Sequence, residues 1–380
     1  MPDRRRRWSP NRPLWSPYGR RTERAPGSVL PAEKHGDVRA ESARNGEAAH
    51  PTYYGRPAVK RSHYGWIVAS YLFIGGLAGS AQVIATLADV LGGRRDRALV
   101  RGGRYVALIG ALISPVFLIA DLHARSRWYN MLRIFRPTSP MSIGSWTLFT
   151  FGTLSGLVAT GQMADDLFGV KAGRTLARWF GVPAAGAGAL MSVYTGTLLA
   201  ATSTPLWAVG DRVLPGLFGA TALSTAAGAL TLIERSSSAS PRTERRLAWI
   251  SIVGAVAQIV LSRALEKRWR EAGLTPVVEQ PAFRTSYQGG VLGLGMVLPL
   301  LLQVLRLSLG ERAGRLSTVA AITSLLGGYA ERRLILAAGN RSADRPELYF
   351  SIAQAEPTAV PASQQRGAPT PAETAVRGTT

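Results

Sequence analysis

The stretch His63-Tyr64-Gly65-Trp66, followed by the apolar run 67–91, decides the class of this protein. The run is long enough to cross the hydrocarbon core of a bilayer, which takes about 20 predominantly apolar residues in a helix. It contains Gly75-Gly76-Leu77-Ala78-Gly79, and small residues of this kind let neighbouring membrane helices approach closely. Further apolar runs follow along the chain, so the sequence predicts an integral membrane protein.

Seven more apolar runs follow, separated by segments that contain arginine. Backbone groups in lipid must bond within the protein, and the alternation typical of a β-barrel is absent, so the runs are predicted to be helices. The predicted fold class is an all-α integral membrane protein of about eight transmembrane helices. Similar small-residue patterns in the first and fifth runs favour two four-helix bundles. The predicted spans are 65–91, 105–122, 143–163, 182–201, 214–233, 247–265, 289–309 and 316–338.

Two polar tails flank these spans. Residues 1–62 contain twelve Arg, two Lys and only six acidic residues, and they show no apolar periodicity. Such a segment does not bury enough apolar surface to fold. We therefore predict a disordered basic tail over 1–62, an eight-helix domain over 63–340 and a second disordered tail over 341–380. An export signal of the twin-arginine type is disfavoured, because the first apolar run begins far downstream of the arginine pairs.

The formal net charge of +22 suggests a nucleic-acid-binding protein at first sight. The excess lies in the tails and short loops, where arginine sets topology and contacts anionic membrane lipid, so no nucleic-acid partner is expected. The chain has no Cys and four His, of which His63 and His123 lie beside spans. An iron–sulfur cluster in this chain is excluded, and neither a haem nor another metal is expected.

An even number of spans places both tails on one side of the membrane, which we name side A. The side A loops carry fewer Lys and Arg than the loops of the opposite side, side B, but the tails themselves are basic. The charge pattern therefore leaves the orientation in the membrane open.

Several residues that carry chemistry meet at side A in this topology. His63 begins span 1, Asp121 and His123 end span 2, Trp146 lies near the start of span 3, and Tyr194 lies about two turns from the end of span 4. His and Asp exchange protons near neutral pH once burial shifts their pKa values, and Tyr offers a neutral donor. Redox chemistry of a quinone needs two protons and donors to its carbonyl oxygens. These residues, within spans 1–4 at about 63–201, are therefore the predicted quinone site.

Structural interpretations stay open beside this one. Asp121 can pair with Arg125 or Arg127, His63 and His123 can be interfacial anchors, and Tyr194 can bond to a backbone carbonyl. Other polar residues of the spans are interpreted as structural. These are Gln82, Gln162, Gln258 and Gln303 as interhelical hydrogen-bonding residues, and Tyr329 with Glu331-Arg332 as a local pair near side A.

At these residues the chain resembles the NrfD family of polysulfide reductase membrane subunits. The most specific match is Asn130-Met131-Leu132-Arg133 followed by Pro137-Thr138-Ser139-Pro140-Met141, which neither hydrophobicity nor topology requires. The resemblance spans roughly residues 53–350. One departure is His123-Ala124-Arg125, where the family usually has Gly-Arg-Pro. Further matches are Tyr53-Tyr54-Gly55-Arg56-Pro57, Gly144-Ser145-Trp146, Tyr194-Thr195-Gly196, Pro205-Leu206-Trp207 and Ser342-Ala343-Asp344.

The resemblance implies a membrane anchor in the bacterial plasma membrane that exchanges electrons with menaquinone or ubiquinone. A ferredoxin-like iron–sulfur subunit and a molybdopterin catalytic subunit are the implied partners, with the terminal cluster approaching side A. The direction of electron flow stays open between quinone reduction by a formate-oxidising complex and quinol oxidation by a respiratory reductase.

Two other functions remain open. A secondary transporter or channel also has many spans, although no Pro- or Gly-broken pair occupies matching halves here. A scaffold that has lost its quinone site would keep the partners without quinone sensitivity.

Overall fold

The computed structural model describes residues 59–93, 96–236, 240–310 and 314–353. In these ranges the chain forms helices and no strand, and eight of the helices are long. They are α1 Trp66–Leu91, α2 Arg97–Asp121, α3 Pro140–Phe168, α4 Lys171–Ala200, α5 Leu214–Ser236, α6 Pro241–Glu271, α7 Pro281–Leu309 and α8 Gly314–Ala343. The short helices are Arg125–Arg127, Asn130–Arg133, Pro205–Ala208, Thr275–Val278 and Pro346–Ala353.

Six of the long helices are long and apolar enough to cross a membrane, namely α1, α2, α4, α5, α6 and α7. Of the other two, α3 is rich in Gly, Ser and Thr, and α8 contains Glu331, Arg332 and Arg333. The predicted all-α membrane fold is confirmed, whereas the number of eight spans stays a prediction. Large apolar side chains in the middle of these helices, such as Leu112 and Val116 of α2, are 63% and 65% exposed, as a lipid-facing surface requires.

The helices pack as two groups of four, in agreement with the predicted pair of bundles. In the first group, α1 and α3 each pack against both α2 and α4. In the second group, α5 and α7 each pack against both α6 and α8. The two groups meet where α1 contacts α5 and α8 and where α4 contacts α5.

Glycines let helix backbones touch at two crossings. A Cβ on Gly79 of α1 would overlap the carbonyl of Gly188 of α4, and a Cβ on Gly295 of α7 would overlap the backbone of Gly327 of α8. Membrane helices gain their contacts from such close approach, because lipid supplies no hydrophobic force between them. Gly79 belongs to the glycine-rich segment of the first apolar run.

The ends of the helices differ from the predicted spans. Helix α2 begins at Arg97, α4 begins at Lys171 and α6 continues to Glu271, because charged residues extend a helix beyond the hydrocarbon. Within α7, Thr285–Val297 is a π-helix, which apolar periodicity does not reveal.

The end of α8 and the helix Pro346–Ala353 occupy part of the predicted C-terminal tail. The predicted disorder of 1–58 and of 354–380 concerns residues outside the described ranges.

The sequence itself sets both ends of α3. The Ser139 hydroxyl accepts a hydrogen bond from the N–H of Ser142, and Pro140 occupies the first turn, where its missing N–H costs nothing. At the other end, Gly169 adopts a positive φ of 64°, which favours glycine. The chain therefore turns sharply into α4, and α3 and α4 pack as antiparallel neighbours.

Candidate functional site

The two ends of the membrane domain meet at side A. Arg61 Nε donates to Asp344 Oδ2 at 3.0 Å, and the hydroxyl of Ser62 donates to Asn340 Oδ1 at 2.7 Å. These bonds hold the segment before α1 against the end of α8. The next residue, His63, is thereby placed beside the end of α2.

His63 and Asp121 form the centre of the candidate site. The distance from His63 Nε2 to Asp121 Oδ2 is 3.1 Å, and their side chains are 54% and 17% exposed. The ring of His123 lies edge-on to that of His63, with a centroid distance of 5.9 Å. Arg125, an alternative partner of Asp121, donates instead to the backbone carbonyl of Ala120. Three of the five predicted site residues therefore come together at one place.

Tyr64 connects this pair to the second bundle. Its ring stacks on Trp207 at a centroid distance of 6.0 Å and an angle of 22°. Trp207 is fully buried and donates from Nε1 to the carbonyl of Ile335 at 2.9 Å. Burial, and to a smaller extent the charge of Asp121, raises the pKa of the Tyr64 phenol. The phenol therefore stays protonated at neutral pH and is able to donate a hydrogen bond.

The sequence analysis gave Tyr64 no role of its own in the site. The available signal was its position between His63 and Trp66, at the start of the first apolar run.

Tyr194 and Trp146 lie on the side of the bundle formed by α3 and α4. Tyr194 is buried and donates from its hydroxyl to the carbonyl of Pro140, while its phenol packs so closely on Gly144 that no Cβ would fit there. This hydrogen bond is the one required by the structural interpretation of Tyr194. The contact of Tyr194 with a quinone stays a prediction.

Trp146 packs edge-on against Phe135 and Phe149, with centroid distances of 6.1 and 6.0 Å. Its indole nitrogen is buried and has no hydrogen-bond partner among the described residues. A buried donor of this kind requires an acceptor, since leaving it unsatisfied costs about 1–3 kcal/mol. The indole is therefore available to a ligand carbonyl, although its ring contacts lie on α3 and the preceding loop.

An apolar surface borders the His63–Asp121 pair on the outer face of α1 and α2. Trp66 and Phe117 meet edge-on at a centroid distance of 6.2 Å, and the Trp66 side chain is 55% exposed. Trp66 follows His63 by three residues, and Phe117 precedes Asp121 by one helical turn. The apolar surface therefore ends at the His63–Asp121 pair.

A second buried polar cluster lies at the opposite end of the first bundle and was not predicted. Arg104, only 2% exposed, pairs with Asp89 at 2.9 Å and donates to Gln162 Oε1 at 2.7 Å. Gln162 in turn donates to Asp166 at 3.0 Å. The cluster ties α1, α2 and α3 together, and it confirms an interhelical hydrogen bond for Gln162.

Glu331 and Arg332 do pair, as predicted, and both are fully buried in the second bundle. Arg332 Nη1 donates to Glu331 Oε1 at 3.2 Å and Arg332 Nη2 donates to the Phe218 carbonyl at 2.9 Å. The other carboxylate oxygen accepts from Thr221 at 2.6 Å and from Gln258 at 2.8 Å. All of these groups hold α5, α6 and α8 together, which supports the structural interpretation.

Comparison with known protein families gives one result for this architecture. The family model described as "Polysulphide reductase, NrfD" matches residues 58–342, about three quarters of the chain. The matched range contains all five predicted site residues and both residues of the Tyr64–Trp207 stack. No curated protein matches the chain.

Proposed function

Because this chain belongs to the polysulphide reductase NrfD family, we propose that it is a quinone-binding membrane anchor of a molybdopterin oxidoreductase. In this proposal it passes electrons between the quinone pool of a bacterial plasma membrane and an iron–sulfur subunit docked at side A. The observation that carries the proposal is the His63–Asp121 pair at the end of an apolar, lipid-accessible surface.

The residues present fit a quinone headgroup. Two imidazoles and the Tyr64 hydroxyl are donors at side A, and the indole of Trp146 is a buried donor with no partner among the described residues. Trp66 and Phe117 provide an apolar border for an isoprenoid chain. When bound, a quinone supplies two-electron, two-proton chemistry, and the protein has to supply the route for the protons.

His63 and Asp121 suit that task because their exposures differ. Asp121 is mostly shielded, whereas His63 is more than half exposed, so the imidazole connects the carboxylate to water at side A. A proton held at Asp121 Oδ2 is able to pass to His63 Nε2 across their contact. Tyr64 stays neutral and orients a carbonyl by donation, since its pKa is raised.

The test is quinone-dependent electron transfer in membranes that contain the whole complex, with Asp121→Asn as the variant. The amide keeps the shape of the carboxylate but does not accept the proton, and acid–base groups contribute about 10²–10⁴-fold to rates. We expect the rate to fall by at least about tenfold. Asp211→Asn is the matched control, because Asp211 is a side A carboxylate paired with Arg268 in the other bundle at 2.9 Å. Equal rates in the two variants would refute the site assignment.

A second measurement separates an anchor from a transporter. If the chain is an anchor, gentle solubilisation of native membranes recovers it with an iron–sulfur protein and with quinone-sensitive activity. Recovery of the intact chain alone would favour a transporter or channel, and recovery with partners but without quinone sensitivity would favour a scaffold that has lost its site.

A further inference from the structure

A cavity of about 210 Å³ lies at the side A end of the second bundle, and neither His63 nor Asp121 lines it. It is formed by the end of α6, the residues that follow the short helix Thr275–Val278, and the start of α7. Five charged residues line it, namely Arg263, Arg270, Arg284, Glu266 and Glu279. The three guanidinium groups outnumber the two carboxylates, so the lining carries one excess positive charge.

The ion pairs of the lining leave the guanidinium groups with donors to spare. A single oxygen of Glu266, Oε2, lies 3.1 Å from Arg263 and 3.9 Å from Arg270. Arg284 donates from Nε to the amide oxygen of Gln288 at 3.4 Å. Each guanidinium has five N–H donors in a planar fork that matches phosphate oxygens. A phosphate group would use these donors and neutralise the excess charge.

The inner wall of the cavity is aromatic. The rings of Phe283 and Tyr287 stack at a centroid distance of 5.5 Å and an angle of 11°, and Trp269 packs on Tyr287 at 6.2 Å. The π-helix of α7 begins at this wall, and π-helical segments are frequent at functional sites. A small inorganic anion would not use an apolar wall, whereas the glycerol and acyl groups of a lipid would.

The depth of the cavity agrees with a lipid ligand. Arg263 lies at the end of the apolar part of α6, and Arg270 lies two turns further towards water. Lipid phosphates occupy this level of a bilayer, and basic pockets between transmembrane helices bind anionic headgroups. We propose that this cavity binds the phosphate headgroup of an anionic phospholipid, such as phosphatidylglycerol.

The test compares two variants with opposite expected effects. Short-chain phosphatidylglycerol is titrated into the purified complex in detergent, and bound lipid is counted by native mass spectrometry. Arg263→Gln combined with Arg270→Gln is expected to weaken binding about thirtyfold. Each arginine contributes about 1 kcal/mol to the binding of an anionic headgroup, and about 1.4 kcal/mol corresponds to a tenfold change in affinity. Glu266→Gln releases both guanidinium groups from their carboxylate, so it is expected to tighten binding, a result that misfolding does not produce.

Two controls identify the ligand. Arg242→Gln combined with Arg245→Gln removes the same charge from the opposite end of α6. Lipid binding in the cavity is expected to be unchanged in this variant. Phosphatidylcholine, whose headgroup has no net charge, is expected to bind at least tenfold more weakly than phosphatidylglycerol. Equal binding of the two lipids, equal loss in both double variants, or equally tight binding of inorganic phosphate would overturn the proposal.

Discussion

Replacing Arg332 by Met should be among the most destabilising single changes in the second bundle. Among the described residues, Arg332 provides the only hydrogen bond to Glu331 Oε1, and the substitution removes it. The donor to the Phe218 carbonyl is lost as well. Thr221 and Gln258 still donate to the other carboxylate oxygen. The substitution also removes the guanidinium that lies 3.6 Å from the centroid of the Phe218 ring. A buried carboxylate is then left without its counter-ion, which costs about 3–5 kcal/mol.

A second substitution separates charge from packing. Adding Glu331→Gln to Arg332→Met removes the uncompensated charge, so we expect it to restore most of the lost stability. Arg333→Met is the control, because Arg333 is exposed and neighbours the pair, and it should change the stability by less than about 0.5 kcal/mol. The measurement is reversible unfolding in mixed micelles, which gives the free energy of unfolding of each variant. If the double variant is no more stable than Arg332→Met, the loss is one of packing and the electrostatic argument fails.

Two further predictions concern the packing that supports the site. Gly188→Ala should destabilise the crossing of α1 and α4 by about 1–3 kcal/mol, because the added methyl group overpacks the contact with Gly79. Gly186→Ala is the control, since Gly186 has open space around it and its replacement should not destabilise the protein. Equal unfolding midpoints of the two variants would contradict the close approach of the helices. Trp207→Phe should cost about 2–4 kcal/mol, because it removes the bond to the Ile335 carbonyl and leaves part of the fully buried indole volume unfilled. Thermal unfolding measures this loss, with Trp179→Phe as the control because Trp179 is exposed.

The sequence was sufficient for the fold class and for the meeting of His63 with Asp121. Apolar length identifies α1 and α2, and two consecutive membrane helices with a short connection are antiparallel neighbours. The end of α2 is then necessarily close to the start of α1, so the imidazole and the carboxylate belong to one end of the domain. No side-chain detail was needed for that conclusion.

The direction of Tyr194 could not be derived in the same way. Depth along a helix follows from counting residues, but rotation about the helix axis depends on how neighbours pack. Gly144 leaves space for the phenol beside α3, and the Pro140 carbonyl at the first turn of α3 accepts its hydrogen bond. Both features belong to another helix, so the sequence of α4 alone does not contain them.

Arg104 shows a second limit of the sequence interpretation. A charged residue lowers the apparent hydropathy of a span, so the predicted second span began after Arg104 and the arginine was counted with the loop of side B. In the folded chain Asp89 and Gln162 bond to its guanidinium and it is buried within α2. Pairing across helices is a tertiary property, and it also removes this arginine from the charge balance of the loops.

The bonds of Arg61 and Ser62 to the end of α8 have a consequence for biosynthesis. The bonded residues are 283 and 278 positions apart in sequence. Arg61 and Ser62 directly precede His63. During translation, α1 and α2 leave the ribosome long before Asp344 is made, so the segment that carries His63 lacks these two bonds until the last helix is complete. An incompletely synthesised chain would therefore lack the bonds that hold the segment before α1 against the end of α8.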